Sequence, residues 1–223
     1  MKKLVIFGAG GLAREVLWAV RDCNRDKHEW DVLGFIDDNS ELHGQTLCDL
    51  PILGGFDWVE KNISDELFGI CGIGAPRIRK LIHEKYTAIG LHFATIIHPT
   101  VQMSQYVDIA PGVFIAAGNL ITTQVTLREH VFLNLVCTIG HDAVLDPYVN
   151  CAPGCNISGN VHLCTGVHVG TGTKIIQDLT VGEWTRIGAG AVVIRDLPER
   201  VVAVGVPAKV IKTKDPKIYN EGV

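Results

Sequence analysis

The chain has 223 residues, 47% hydrophobic and 20% charged, enough for one large or two small packed cores and unlike a disordered or collagenous chain. Twenty Lys and Arg against 24 Asp and Glu give a net charge of −4, and no basic run stands out, which argues against nucleic acid or an anionic membrane as partner. No stretch approaches the roughly 20 apolar residues of a membrane span, the apolar run in MKKLVIFGAGGL is too short for a signal peptide, and seven scattered cysteines fit a reducing compartment, so a soluble cytoplasmic protein is expected.

Residues 1–95 read as alternating strands and helices. An apolar run over residues 2–7 ends in Gly8-Ala9-Gly10-Gly11, and residues 12–25 then carry Val16, Leu17, Val20 and Cys23 at helical spacing. A second strand is expected over 32–36, ending at Asp37-Asp38. A third is expected over 67–73, ending at Gly74, and Pro76 opens a helix running to about residue 86. This is the pattern of a small Rossmann-like α/β domain with parallel strands. The glycine cluster, placed between strand and helix, suits either a tight turn or a phosphate cradle, and it lacks the third glycine of the dinucleotide fingerprint. Asp37 and Asp38 suit either a ribose or uracil contact or a solvated loop.

From Ile97 a period of six takes over. Stepping by six from Ile97 to Val193 meets seventeen positions, all apolar. At 47% apolar content such a run arises in roughly three per million trials. The position four further on is small or aliphatic almost throughout, with Asn119 the clear exception. A six-residue repeat is a short strand plus a tight turn, and three of them close one triangular coil with the apolar residues inside. The ladder has no insertion, so a ligand must lie against the prism's sides or between subunits. Residues 194–223 leave the ladder; 201–212 read as a strand, a Gly-x-Pro turn and a basic strand or helix, and the last ten residues carry no readable function.

Within the ladder, histidine followed by a carboxylate occurs once, at His141-Asp142. Residues 18 apart stack on adjacent coils, so His141 is expected between Thr123 and Gly159, with Gln177 beyond, and Gly159 leaves room beside the ring. A neutral imidazole accepts a proton from an attacking amine or hydroxyl, and Asp142 would fix its tautomer. An exposed turn histidine gives the same pattern. Asn150 and His168 are 18 apart, but no HxH or CxxC spacing supports a metal site, and Cys137, Cys151, Cys155 and Cys164 read as small hydrophobes. No metal and no cysteine nucleophile are expected.

Hexapeptides such as IGAGAV at 187–192 and VGTGTK at 169–174 resemble the left-handed parallel β-helix of acyltransferases. With GAGGLAREV, FIDD at 35–38, IIHPT at 96–100, IGHD at 139–142, APG and ISGNV at 152–161 and GVPAK at 205–209, residues 2–212 resemble the sialic-acid O-acetyltransferase and bacillosamine N-acetyltransferase family. The resemblance implies a nucleotide-sugar-binding domain over 1–95, a left-handed β-helix acetyltransferase domain over 96–198 and a tail over 199–223. It implies a homotrimer with acetyl-coenzyme A between neighbouring prisms, and transfer to an amine or hydroxyl of a nucleotide-linked amino sugar for surface glycan or glycoprotein biosynthesis. On that resemblance His141 is the general base with Asp142 its partner, and Asn150 donates to the thioester carbonyl. Gly159, Thr171 and Ala189 line the coenzyme's path, and Lys209 in GVPAK lies near its nucleotide end. Gly10, Gly11, Asp37 and Asp38 would meet the acceptor and Arg14 its phosphate. Leu12 stands where many relatives have histidine. Alternatives are O-acetylation of sialic acid or serine, a non-catalytic sugar-nucleotide-binding protein, and a NAD-dependent reductase, which leaves the ladder unexplained.

Overall fold

The computed structural model describes residues 1–213, and the ten residues beyond, for which the sequence offers no function, lie outside the described residues. The first half comprises β1 (Lys2–Phe7), α1 (Gly11–Asp26), β2 (Trp30–Ile36), a 3-10 turn at Ser40–Leu42, β3 (Thr46–Leu47), β4 (Leu50–Gly54), α2 (Phe56–Asn62), β5 (Leu67–Cys71), α3 (Pro76–Thr87) and β6 (His92–Phe93). The sheet order is β3-β4-β2-β1-β5-β6, parallel except for the β3–β4 hairpin. Leu4, Val5, Ile6 and Phe7 are all buried, as a central parallel strand covered on both faces requires. The hairpin, α2 and β6 have no counterpart in the expected elements, because segments this short do not complete a readable period.

The second half is a prism of seventeen two-residue strands, from Ile96–Ile97 to Val192–Val193. Each of the first fourteen pairs in parallel with the strand 18 residues on, as Phe114 with Phe132 and Val144 with His162, which builds three faces. The second residue of each strand points inward, and most form one buried core from Ile115 to Val193. Asn119, the polar exception, is buried and donates through Nδ2 to the carbonyls of Ala116 and Asn134. Every turn from Gly112 to Gly190 repeats one feature, a residue with positive φ at six-residue spacing. The segment 201–213 leaves the six-residue period as expected, as a strand, a turn and a second strand, but it stays on the prism's sheet. Val201–Val204 pairs in parallel with Arg186–Ile187, and Lys209–Thr213 folds back antiparallel onto it. The last coil is shorter, with Ile187 facing Ala203 sixteen residues on, so the period ends while the sheet continues.

One face of the prism is covered by the α/β half. Its outward residues Ile96, Phe114 and Phe132 are buried in the core of that half. Between them lies Arg79 of α3, fully buried. Its Nε donates to the His130 carbonyl (3.2 Å), Nη1 to the carbonyls of Ile73 (3.1 Å) and Gly74 (2.9 Å) and to Asn150 Oδ1 (3.2 Å), and Nη2 to the carbonyls of Tyr148 (2.8 Å) and Val149 (3.2 Å). The guanidinium also lies over the Phe132 ring at 4.2 Å. Burial pushes its pKa down to about 10, which still leaves it charged at neutral pH.

His130 is buried beside it, with Nδ1 unpartnered and its ring against Phe93, His83 and Tyr148. Burial, with the His83 and Arg79 charges, pushes its pKa down to about 3.

Two outcomes are expected from this interface. Arg79→Lys, which cannot reproduce the planar fork, should cost about 3 kcal/mol or more, read as an earlier denaturant midpoint by tryptophan fluorescence. An unchanged midpoint would show that the carbonyl cage is not what joins the halves. For His130, the unfolded chain takes up a proton below about pH 6.5 that the folded chain refuses down to about pH 3, so its contribution is complete above 6.5 and declines steadily below. His130→Asn, which tolerates the positive φ, should therefore lose less thermal midpoint than wild type between about pH 7 and pH 4.

Candidate active site

The carboxyl ends of β1, β2 and β5 open into a cleft of about 310 Å³, lined by Phe7, Gly8, Asp37, Asp38, Lys85 and Tyr86 among others. This is where the strand order reverses about β1, the place where open α/β sheets bind ligands. Gly8 lines the cleft, and the three glycines of the β1–α1 turn differ in cause. Gly8 has φ +94, and a Cβ there would lie 2.8 Å from Ile73 Cγ1, so the protein itself demands glycine. Gly10 has an ordinary φ of −86 with nothing within 4 Å of a Cβ, and the nearest atom to one on Gly11 is Arg14 Nη2 at 3.7 Å. Neither packing nor conformation requires glycine at those two positions. The open space they leave lies over the uncapped start of α1, whose first N–H groups have no intrahelical acceptor.

Leu12 and exposed Arg14 stand on the same first turn, with Leu12 against Gly74. Asp37 is engaged by the protein: Oδ2 accepts from the Ala9 N–H (2.9 Å) and Oδ1 from the Asn39 N–H (3.0 Å), so it positions the glycine turn. Asp38 forms an ion pair with Lys85 (3.5 Å), whose Nζ also lies over the Phe56 ring. Lys85 and Tyr86 had no signal in the sequence beyond helical spacing; only the fold brings α3 over the cleft.

His141 occupies a turn at a prism edge, its side chain 60% exposed. Nδ1 lies 2.8 Å from Asp142 Oδ2. An ionised carboxylate only accepts, so the proton sits on Nδ1 and Nε2 carries a free lone pair. Asp142 takes the positive-φ position of its turn, which aspartate tolerates, and the residue stacked above it, Asn160, donates to Asp178. Gly159 lies against the ring: a Cβ there would come within 2.5 Å of Cε1 and 2.6 Å of Nε2.

Thr171 and Ala189 are both exposed, but on the next edge, across one face from His141. One chain therefore does not bring them to the imidazole. Lys209 is exposed at the end of the GVPAK turn and lines a cavity of about 270 Å³ with Arg195, Pro207 and Ala208. Asn150 is elsewhere. It is 7% exposed, on the face covered by the α/β half, and its Oδ1 accepts from Arg79, so its position does not support the thioester contact expected of it. His168 is in register with it on the next coil.

Residues 3–86 match the family model of the PglD N-terminal domain. A GDP-perosamine N-acetyltransferase of Escherichia coli O157:H7 is 26% identical over 217 residues, 93% of this chain and 95% of that protein. A serine acetyltransferase of Buchnera aphidicola is 35% identical over 117 residues, 51% of this chain but only 41% of that protein, and two further serine acetyltransferases are spanned to 66% and 38% of their length. Among solved structures, a variant of perosamine N-acetyltransferase from Caulobacter crescentus, in complex with CoA and GDP-perosamine, superposes with a TM-score of 0.88 at 27% identity, covering 95% of this chain and 98% of that one. The acetyltransferase domain of PglB from Neisseria gonorrhoeae, in complex with acetyl coenzyme A, gives 0.85 at 27%, covering 94% and 99%.

The contact between Gly159 and His141 yields a direct test. Gly159→Ala has no backbone penalty, since φ there is not left-handed, and the exposed ring is free to move. A crystal structure of the variant should show an intact ladder with the imidazole displaced by about 1 Å or more, the distance needed to restore van der Waals contact. A ring still bonded to Asp142 in its original place would remove Gly159 from the site.

Proposed function

We propose that the chain, which is similar along nearly its whole length to perosamine N-acetyltransferases and over residues 3–86 to the PglD N-terminal domain, moves the acetyl group of acetyl-coenzyme A to an amine of a nucleotide-linked amino sugar. The observation that carries this reading is His141, with its proton on Nδ1 toward Asp142 and its Nε2 lone pair facing outward over Gly159. As the acceptor amine attacks the thioester carbon, it gives a proton to Nε2. The tetrahedral oxyanion then collapses, expelling the coenzyme thiolate, which takes that proton back. A base placed in this way is worth about 10²- to 10⁴-fold in rate, and no acetyl-enzyme is needed.

Residues 1–95 hold the acceptor in this reading, 96–198 carry acetyl transfer, and 199–213 close the ladder and flank the coenzyme. The nucleotide lies over Gly10 and Gly11, where a side chain would stand in open space, with Arg14 reaching a phosphate and Leu12, Asp37 and Asp38 bounding the pocket. The coenzyme runs along Thr171 and Ala189, with its nucleotide end at Lys209. Because those residues and His141 sit on two edges of one prism, the site is completed by a neighbouring copy, and a homotrimer of parallel prisms provides three such grooves. The setting is the cytoplasm, and the product feeds surface glycan or glycoprotein assembly. No described helix is long and apolar enough to cross a membrane. Transfer to the hydroxyl of serine is the second reading, favoured by the Buchnera relative. The α/β half with its cleft has no use on that reading.

Incubation with acetyl-coenzyme A and a panel of GDP-, UDP- and dTDP-linked amino sugars, sialic acid and serine, read by mass spectrometry, should give an acetylated nucleotide sugar; acetylserine alone would overturn the reading. His141→Ala should lower kcat by about 10²-fold or more with coenzyme binding intact, and Asp142→Asn should cost less. A His141→Ala enzyme with most of its kcat would leave His141 as a turn residue. Light scattering should report a trimer, and an active monomer would end the shared-site arrangement.

A further inference from the structure

The geometry points to a site for a thiophilic divalent cation of the Zn²⁺ type, formed by Asp146, His162 and Cys164 on a prism edge away from His141. His162 Nε2 donates to Asp146 Oδ2 at 2.8 Å, and the ligand atoms of all three side chains lie within 4.8 Å of one another, each residue half-buried. The ladder fixes this arrangement. Asp146 and Cys164 are 18 residues apart and take the same turn position on successive coils, anchored by the Asp146 N–H to the Leu163 carbonyl and the Cys164 N–H to the Val181 carbonyl. His162 is the outward residue of the strand that runs into Cys164, and it is paired in register with Val144. Ligands spaced 18 and 2 apart escape any search for HxH or CxxC, which is why the sequence gives no metal signal here.

The donor set selects the ion. One carboxylate oxygen, one imidazole nitrogen and one sulfur match Zn²⁺ or Co²⁺, whereas Mg²⁺ and Ca²⁺ require oxygen alone. Metal–ligand lengths of 2.0–2.3 Å put ligand atoms roughly 3.5 Å apart in a tetrahedron, so the carboxylate–imidazole pair opens slightly and the thiol closes in by side-chain rotation. Burial, and then the Asp146 and Glu183 carboxylates, push the Cys164 pKa up, and a bound cation would offset those neighbouring negative charges. On binding, the thiol gives its proton to solvent, the imidazole proton moves through solvent from Nε2, where it faced Asp146, to Nδ1 so that Nε2 can bind the ion, and a water completes the fourth position. The strands Val144–Leu145 and His162–Leu163 run from the turns of His141 and Gly159 to this cluster, so the ion would staple together the two coils that carry the proposed base. The site itself does not depend on the acetyl-transfer reading.

The full chain, stripped with a chelator, is titrated with Co²⁺. One ion per chain is expected, with a sulfur-to-cobalt charge-transfer band in the near ultraviolet that Zn²⁺ displaces and millimolar Mg²⁺ does not. Cys164→Ser should abolish the band and weaken binding by more than about 100-fold, beyond the range of outer-shell changes. Cys48→Ser, which removes an exposed thiol of the α/β half, should change neither. X-ray absorption of the zinc-loaded wild type should show one sulfur neighbour, a measurement that stands even where the serine variant fails to fold. Substoichiometric binding, a band that survives in Cys164→Ser, or zinc without sulfur would each overturn the site.

Discussion

A charged guanidinium without a carboxylate, closed off from water, holds the two halves of this protein in one arrangement. Arg79 reaches five carbonyls and one amide oxygen, drawn from the β5–α3 connection on one side and from two adjacent prism turns on the other. Burying a charge is tolerable only when its donors are satisfied, and five N–H groups in a rigid plane meet that condition in few geometries. The cage is therefore specific as well as stabilising: a shift of α3 along the prism would leave several carbonyls bare at once. Asn150 belongs to this cage, and that is why a position expected to face the coenzyme faces inward.

Because the α/β half is fixed against one face, the remaining faces and edges of the prism are what a ligand or a second copy can meet. The outward residues Ile96, Phe114 and Phe132 are lost to the interface, while Leu120, Thr138 and Lys174 on the next face remain partly or fully open. That open face lies between the edge of His141 and the edge of Thr171 and Ala189. Covering one face with its own domain leaves the chain a straight, uninserted wall beside its imidazole, and only another wall can turn that surface into a groove.

The ladder was legible because its rule is repeated seventeen times, and β1, α1, β5 and α3 were legible because each completes a period or ends in glycine or proline. What escaped falls into two kinds. Elements of two to seven residues, such as β6 and α2, are fixed by partners in space. The left-handed turn position was the subtler loss. Its occupants include Gly112, Gly118, Gly154, Gly166, Gly172 and Gly190, with Asp142, Asn160 and Asp178, and their six-residue spacing was available in the sequence; Val136, Tyr148 and Trp184 at the same position obscured it. Arg79 carried no signal, since an arginine on a helix ordinarily faces water. Asp37 lines the cleft, and its carboxylate accepts from the Ala9 N–H, a partner that the sequence does not disclose.

A prism whose turns share one backbone conformation offers the same corner again and again, so chemistry is selected by side chains stacked in a column and not by any special loop. In the column of Thr123, His141, Gly159 and Gln177 three conditions meet: an exposed imidazole, a carboxylate at the neighbouring left-handed position, and a missing side chain on the coil above. His130 meets the opposite fate on another edge. It takes the left-handed position itself, turns under the α/β half, and is held neutral by burial. The same residue type thus becomes an outward, exposed imidazole at one turn and an uncharged packing ring at another, and what separates them is whether the adjoining face is covered. The covered face withdraws its histidine from solvent, the bare edge leaves His141 open to it, and Arg79 fixes which face is covered.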